Sequence, residues 1–193
     1  MSAQDYIYCY QGSALRVAGG TAVIGKKFDP LRPVTIGDNT WASNNLAIDD
    51  GQGGIYTQTV NYGQGDVVEY YYTWFAAVRV AATVQGWHLS TEAEWDALAE
   101  AVGGSSTAGT KLKSSYGWNS GNGTDDYGFA ALPAGFWYSG SFEYLGSGAY
   151  FWTANDSEIW GNAYRRYFYT GASMISGYTP KTYAYSVRLV KDA

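Results

Sequence analysis

The sequence predicts a mixed α+β domain. Strand-like alternation fills its first quarter and its last quarter, two segments of helical periodicity stand together between them, and glycine breaks the chain throughout. With 193 residues, 46% of them hydrophobic, the chain has the size of one domain with a short extension. Much of its core must be aromatic, because Phe, Trp and Tyr make up 18% of the sequence and each ring buries roughly 150–250 Å². The 25 Gly against 4 Pro call for many tight turns around short strands.

The elements follow in order. Residues 1–33 alternate loosely, through Tyr6, Tyr8 and Tyr10, then Leu15 and Val17, then Ala22 and Ile24. They are read as short strands broken at Gly19-Gly20 and stopped at Pro30 and Pro33. From Val34 the pattern tightens, and VTIGDNTWASNNLAI holds two strand pieces around a Gly37-Asp38-Asn39 turn. Asp49-Asp50-Gly51 lacks the spacing of a helix–loop–helix calcium loop and is read as a turn. TWFAAVRVAATV, residues 73–84, is the first helix, with Trp74, Val78 and Ala81 at helical spacing and Gly86 as its stop.

LSTEAEWDALAEAVGG is the second helix. Thr91 and Glu94 form a capping box, and Trp95, Leu98, Ala99 and Val102 make one apolar face. Glu92, Glu94 and Asp96 suit the positive end of the helix dipole, and Gly103-Gly104 ends the element. Beyond it the chain is loop-rich and aromatic, tied down by Trp118, Phe129, Leu132 and Trp137. Strands return at AYFWTAN (149–155), at AYRRYFY (163–169) and, after a turn-rich link, at YAYSVRLVKD (183–192). In the last of these Val187, Leu189 and Val190 are expected to be buried, with Arg188 structural.

Several chemistries are disfavoured. A net charge of -5 argues against a nucleic-acid partner. No apolar run reaches the ~18 residues a membrane helix needs, so no membrane insertion is expected. MSAQDYIYCYQG has neither the basic nor the apolar region of a secretory signal. The one cysteine, Cys9, has no cationic neighbour in sequence to activate it, and it excludes an intrachain disulfide. The one histidine, His88, stands just before the capped helix, and the sequence holds no G-x-S-x-G elbow, so a structural role is expected. One His and one Cys do not make a tetrahedral zinc site, and no phosphate-binding glycine loop is present. The pairs Asp49-Asp50 and Asp125-Asp126 are consecutive, so their carboxylates point apart or to solvent. No catalytic residue, cofactor or metal is therefore expected.

The stretch NAYRRYFYTGASMISGYTPKTYAY, Asn162 to Tyr185, points elsewhere. Tyrosines recur on spacers of Ser, Thr, Gly, Ala and Arg, with few aliphatics. Paratopes use this composition, because Tyr and Trp give large contact area at little entropic cost. Trp160, Tyr164, Arg166, Tyr167, Tyr169 and Tyr178 supply those types, and Asn162, Ser173 and Tyr183 belong to the same stretch. Asp156, Ser157, Glu158 and Trp160 form a loop between two strands, an aromatic beside acids of the kind recognition loops carry. Period-2 alternation puts Ala163, Arg165, Tyr167 and Tyr169 on one face and Tyr164, Arg166 and Phe168 on the other. Both faces are mixed, and Tyr164, Tyr167 and Tyr169 are taken as the exposed set.

GWHLSTEAEWDALAEAVGG, AGTKLKSSYGW, DDYGFAALPAGFW, FWTAND and YSVRLVKD also follow one another in a familiar order and spacing. Over about Val34 to Asp192 the chain resembles the Fibrobacter succinogenes major paralogous domain. That family is similar to the C-type lectin-like fold, in the branch of the formylglycine-generating enzymes and the variable proteins of diversity-generating retroelements. The resemblance implies two helices flanking a small twisted antiparallel sheet, long irregular loops at one end, and first and last strands close together. It divides the chain into an extension, 1–33, and a domain, 34–193, with a variable-type region at about 150–185.

The resemblance also implies a function. In such variable proteins the C-terminal strands and loops present a ligand-binding surface. Adenine-directed mutagenesis there favours Tyr, Asn, Ser, Asp, Thr and Gly. The partner implied is a protein or glycan on a cell surface, met by a non-enzymatic module displayed on a phage virion or a bacterial surface. The alternative is a structural or interaction domain of such an assembly. Two activities of the wider fold do not carry over. Formylglycine-generating enzymes need a cysteine-based copper site, and no cysteine follows Cys9. Calcium-dependent lectins pair Glu-Pro-Asn or Gln-Pro-Asp with Trp-Asn-Asp, and Ala154-Asn155-Asp156 has no such partner.

Overall fold

The computed structural model describes residues 31–193. The strands expected before Leu31 fall outside those residues. The described residues open with the expected hairpin, β1 (Pro33–Ile36) and β2 (Asn39–Ala42), turning at Gly37-Asp38. A second hairpin, β3 (Ile55–Asn61) and β4 (Asp66–Thr73), adds two strands that the reading of the sequence did not anticipate. Between the hairpins Asp49 and Asp50 accept from the amides of Gly51 and Gln52, as turn aspartates do.

Helix α1 (Trp74–Ala81) is shorter than expected and buries a different stripe. Ala76, Ala77, Val80 and Ala81 face inward, and Val78 is 39% exposed. Arg79 is the only polar residue in this helix, and periodicity cannot choose a face on a helix apolar nearly all round. After β5 (Trp87–Leu89), helix α2 (Glu92–Ala101) matches its expectation. The Thr91 hydroxyl accepts from Glu94 N at 3.3 Å, and the Glu94 carboxylate accepts from Thr91 N at 2.7 Å. Trp95, Leu98, Ala99 and Val102 are all buried. Gly103 and Gly104 end the helix at φ of 100° and 97°, conformations open to Gly at no steric cost.

A third helix, α3 (Ser105–Leu112), stands where loop was expected. Its sequence, SSTAGTKL, is poor in helix formers and has Gly109 in its interior, so tertiary contact overrides propensity. A Cβ on Gly109 would meet Ala172 O at 2.7 Å and Ser173 O at 2.9 Å, so the loop after Thr170 rests directly on the helix backbone. Strands β6 (Phe136–Tyr138) and β7 (Ser141–Glu143) pair next. Then come β8 (Ala149–Asp156), β9 (Asn162–Phe168) and β10 (Met174–Pro180), the last lying in the supposed turn-rich link. The final segment splits into β11 (Ala184–Tyr185) and β12 (Leu189–Lys191).

The strands form three sheets with antiparallel pairing, ordered β1-β2-β12-β5, β10-β9-β8 and β3-β4-β11-β6-β7. The architecture is α+β and rich in sheet, with three helices among the described residues. Val190 pairs with Trp41, which joins the first hairpin to the last strand. One core cluster lies under α2 and α3 and gathers Trp41, Trp95, Phe129, Phe151, Phe168 and Met174. A second lies under α1, where Leu46, Tyr72, Tyr150, Trp152, Tyr185 and Leu189 meet. Of the expected loop anchors, Trp118 and Phe129 are buried, while Leu132 and Trp137 are half-buried; Trp137 stacks on Tyr56 with centroids 3.5 Å apart.

Two buried cations hold the long connections. Arg188 donates to Asn45 Oδ1, Ala42 O, Phe129 O and Ala130 O at 2.6–3.1 Å, which bears out its structural reading. Asn45 in turn donates to the fully buried Glu69 at 3.0 Å. Lys113 is also buried, and no local sequence signal marks its role. Its ammonium donates to the carbonyls of Gly121, Tyr169, Thr170 and Gly171, and so ties the irregular loop to the end of β9.

Candidate functional site

The expected site residues converge on the β10-β9-β8 sheet and its loops, but they divide among three places. Strand alternation sets the division. Tyr164, Arg166 and Phe168 share the helix-side face with Met174, Ser176 and Tyr178 of β10. Phe168 and Met174 reach the α2–α3 core from there. Arg165 and Tyr167 point the other way, beside Tyr150 and Trp152 of β8 and Ile175 and Gly177 of β10.

The first place is the tip between β8 and β9. Trp160 is 98% exposed there, while the other tryptophans are buried or half-buried. Asp156, Ser157, Glu158 and Trp160 line an open groove of about 600 Å³ with Phe75, Gly161, Lys181 and Thr182. Ser157 braces the turn, its hydroxyl accepting from Ile159 N at 3.2 Å, and Asn162 N donates to Ile159 O at 3.0 Å. Lys181 Nζ lies 2.7 Å from Asp156 and 4.1 Å from the Trp74 ring centroid. Glu158 and Phe75 are exposed, the latter by 62%. The groove thus offers two uncovered aromatic rings, one held ammonium and acidic rims.

The second place is the outer part of the helix-side face. Tyr164 is half-buried and meets Tyr178 edge-on at 6.3 Å, and Tyr178 is 51% exposed. Arg166, their neighbour on this face, is drawn into the fold. Its Nη2 lies 3.1 Å from Glu92 and 2.7 Å from Asp96 at the start of α2, and the residue is 5% exposed. Its Nη2 is taken up by the domain itself, so it stands as a strut between sheet and helix.

The third place is an aromatic wall on the opposite face. Tyr167 stacks on Tyr150 at 5.6 Å, Tyr169 meets Tyr150 edge-on at 5.8 Å, and Tyr183 stacks on Tyr138 at 4.0 Å. Tyr144 and Phe136 extend the wall. Of the tyrosines expected to be exposed, Tyr164, Tyr167 and Tyr169 are all half-buried, because each lies against a ring of a neighbouring strand or loop. Ser173 is exposed in the loop that rests on α3. Burial pushes the Tyr185 hydroxyl up to about 12 and raises Tyr150 and Tyr183 as well, so these rings remain hydrogen-bond donors at neutral pH.

The residue this wall surrounds is Arg165, which the candidate set omitted in favour of Arg166. Its guanidinium carbon lies 4.5 Å from the Tyr167 centroid, 5.4 Å from Tyr150 and 5.5 Å from Tyr185. The signal was present in the alternation that grouped Arg165 with Tyr167 and Tyr169. What the sequence lacked was the position of α2, whose carboxylates claim Arg166.

A second cavity, about 250 Å³, is lined by Asn45, Glu69, Tyr70, Tyr116, Asp125 and Arg188 among others. Burial raises the pKa of Glu69, and hydrogen bonds from Asn45 and Tyr62 oppose that rise. Glu69 accepts from Asn45 and Tyr62, Asp125 accepts from the Ala130 amide, and Arg188 is held by Asn45 and backbone carbonyls. His88, as expected, is engaged within the fold, with Nε2 2.7 Å from Glu94 and Nδ1 2.7 Å from Asp192. No group of three or more His, Cys, Asp or Glu placed to hold a metal stands among the described residues. None of the helices described is long and apolar enough to cross a membrane.

No curated protein and no solved structure matches the chain. A family model does match it, over residues 34–191, and the span takes in both helix-bearing cores and all three places described above. The chain belongs to the Fibrobacter succinogenes major domain family.

Proposed function

We propose that this protein is a non-enzymatic recognition module. In this reading the scaffold is C-type lectin-like, and β8, β9, β10 and their loops display a tyrosine-rich surface of the kind carried by variable proteins of diversity-generating retroelements. The partner is a protein or glycan on a cell surface, and the module is displayed on a phage virion or a bacterial surface. The observation that supports this most is Trp160. An indole that is 98% exposed contributes nothing to its own fold, yet it stands beside Phe75 in a groove rimmed by Asp156, Glu158 and Lys181. Uncovered aromatic surface with a polar rim is the common form of a contact patch.

A second reading, a structural domain of a surface or virion assembly, draws on the same ring, since a neighbouring subunit could cover it. One experiment separates them. Wild type and Trp160→Ala are compared for capture of host-cell surface material and for oligomeric state. Loss of capture by at least about tenfold, equivalent to ~1.4 kcal/mol, with an unchanged oligomer supports recognition. Unchanged capture with a dissociated assembly supports the structural reading and sinks the first. For the diversified form of the proposal, the gene should lie near a reverse transcriptase and an imperfect repeat of the codons for about 150–185, differing at adenines; a locus without them removes that part.

A further inference from the structure

The aromatic wall around Arg165 has a chemical preference of its own. Arg79 is paired with Asp50, Arg166 with Glu92 and Asp96, and Arg188 is bound by an Asn side chain and three carbonyls. Arg165 differs from all three. Among the described residues it makes no ion pair, and its recorded partners are the rings of Tyr150, Tyr167 and Tyr185. Its Nε, like that of Arg166, is shielded from solvent without a hydrogen-bond partner, but among the described residues Arg165 has no Nη bond to match those of Arg166 Nη2. Beside it, Tyr150 Oη is shielded too and has no partner of ordinary hydrogen-bond geometry.

A guanidinium uses its flat face for rings and its edge for carboxylates or sulfates. Here the rings hold the face and nothing holds the edge. Leaving the shielded Nε unmatched costs free energy in the unliganded fold, and that cost is recovered by a ligand that supplies an acceptor.

The way in is also provided for. Gly177 of β10 pairs with Arg165 across the sheet. A Cβ there would stand 3.8 Å from Arg165 Nε, 4.0 Å from its Nη2 and 3.5 Å from the Tyr167 ring, so any larger side chain would roof the guanidinium. The net charge of -5 makes indiscriminate attraction of anions by the whole molecule unfavourable, so anion binding here requires local placement.

The geometry points to an acidic-saccharide site centred on Arg165, in which the guanidinium edge takes a carboxylate or sulfate and the exposed rings of the wall, Tyr138 and Tyr144, contact the sugar. The ring body is assigned to a sugar because Tyr138 and Tyr144, 43% and 52% exposed, offer aromatic surface with hydroxyls at its edge, which suits the C–H faces and hydroxyl rims of a sugar. This rests on the recognition reading and gives it a ligand class.

The test titrates the folded protein with α2,3-sialyllactose, tri-galacturonate and a heparin-derived disaccharide, each against lactose as the neutral control. Tyrosine and tryptophan fluorescence and amide chemical shifts report binding. At least one acidic sugar should bind at least about tenfold more tightly than lactose. Arg165→Met keeps the packing and removes the charge, and Gly177→Val roofs the site while leaving the charge in place. Each should abolish that preference with a melting temperature at or above that of wild type.

Equal binding of acidic and neutral sugars, or binding indifferent to both variants, overturns the assignment. Binding of polyglutamate with no response to any sugar overturns the saccharide class. Host-cell capture that persists in Arg165→Met refutes this site and leaves the recognition reading standing, whereas capture lost only with Trp160→Ala places recognition in the groove.

Discussion

Trp160 and Trp95 carry the same side chain at opposite extremes of burial, and they should respond to alanine in opposite ways. Trp95 is wholly buried among Trp41, Phe129 and Phe151, so Trp95→Ala should cost about 3–5 kcal/mol in urea denaturation. Trp160→Ala should change stability by less than about 0.5 kcal/mol. His88 gives a pH signature. Burial opposes its charge, but the hydrogen bonds it donates to Asp192 and Glu94 outweigh burial and raise its pKa above the ordinary value. The folded state then holds the proton more tightly than the unfolded chain does. That stabilisation is complete below pH of about 6.5 and is lost as pH rises through the higher folded value. Urea midpoints should therefore fall between neutral and mildly alkaline pH in wild type, and less so in His88→Gln; equal slopes would show that the two carboxylates do not select the imidazolium. At this scale the sequence was informative about which residue types matter and silent about their neighbours. It identified Arg188 as structural from its apolar flanks, but it could not tell Arg165 from Arg166, because adjacent arginines on a strand differ only in what packs against each face.

At the scale of elements, α3 and β10 depend on each other. Gly109 allows the carbonyls of Ala172 and Ser173 to approach the helix, and Thr110 N donates to Ala172 O at 3.2 Å. Alanine at 109 would gain about 0.8–1 kcal/mol of helix propensity. It would also force a methyl to within 2.7 Å of a backbone oxygen, an overpacking that costs about 1–3 kcal/mol. Gly109→Ala should therefore lower the urea midpoint with little change in m-value; a stabilised protein would mean that the loop yields. This dependence also explains which elements could be read from the sequence. Helix α2 carries its own signals in the Thr91–Glu94 box, one clean apolar face and a Gly-Gly stop, so its place was legible. The SSTAGTKL helix carries none, and MISGYTP has a glycine and a terminal proline where a strand signal should be. Both are shaped by contact, and contact is not written in a local window.

At the scale of the whole molecule, the sheets are stitched together by buried polar groups as much as by the aromatic core. Arg188, just before β12, reaches the backbone at Ala42, Phe129 and Ala130, and Asn45 links it to Glu69 of β4. Replacing it by methionine would strand those acceptors and leave the Glu69 side of the network without its cation. Arg188→Met should cost about 3–5 kcal/mol, and Arg188→Met with Glu69→Gln should cost less than the sum of the single changes, as a double-mutant cycle in urea would measure. The overall α+β class followed from the order of strand and helix signals. The division into three interleaved sheets did not, because β11 and β12 are neighbours in sequence yet pair into different sheets. Lys113 acts across the same long range. Every acceptor it grips between Tyr169 and Gly171 is a main-chain carbonyl, and such an oxygen is present whatever side chain a codon specifies. The clasp is therefore blind to residue identity: the segment beyond β9 can be rewritten at its exposed positions without loosening its mooring.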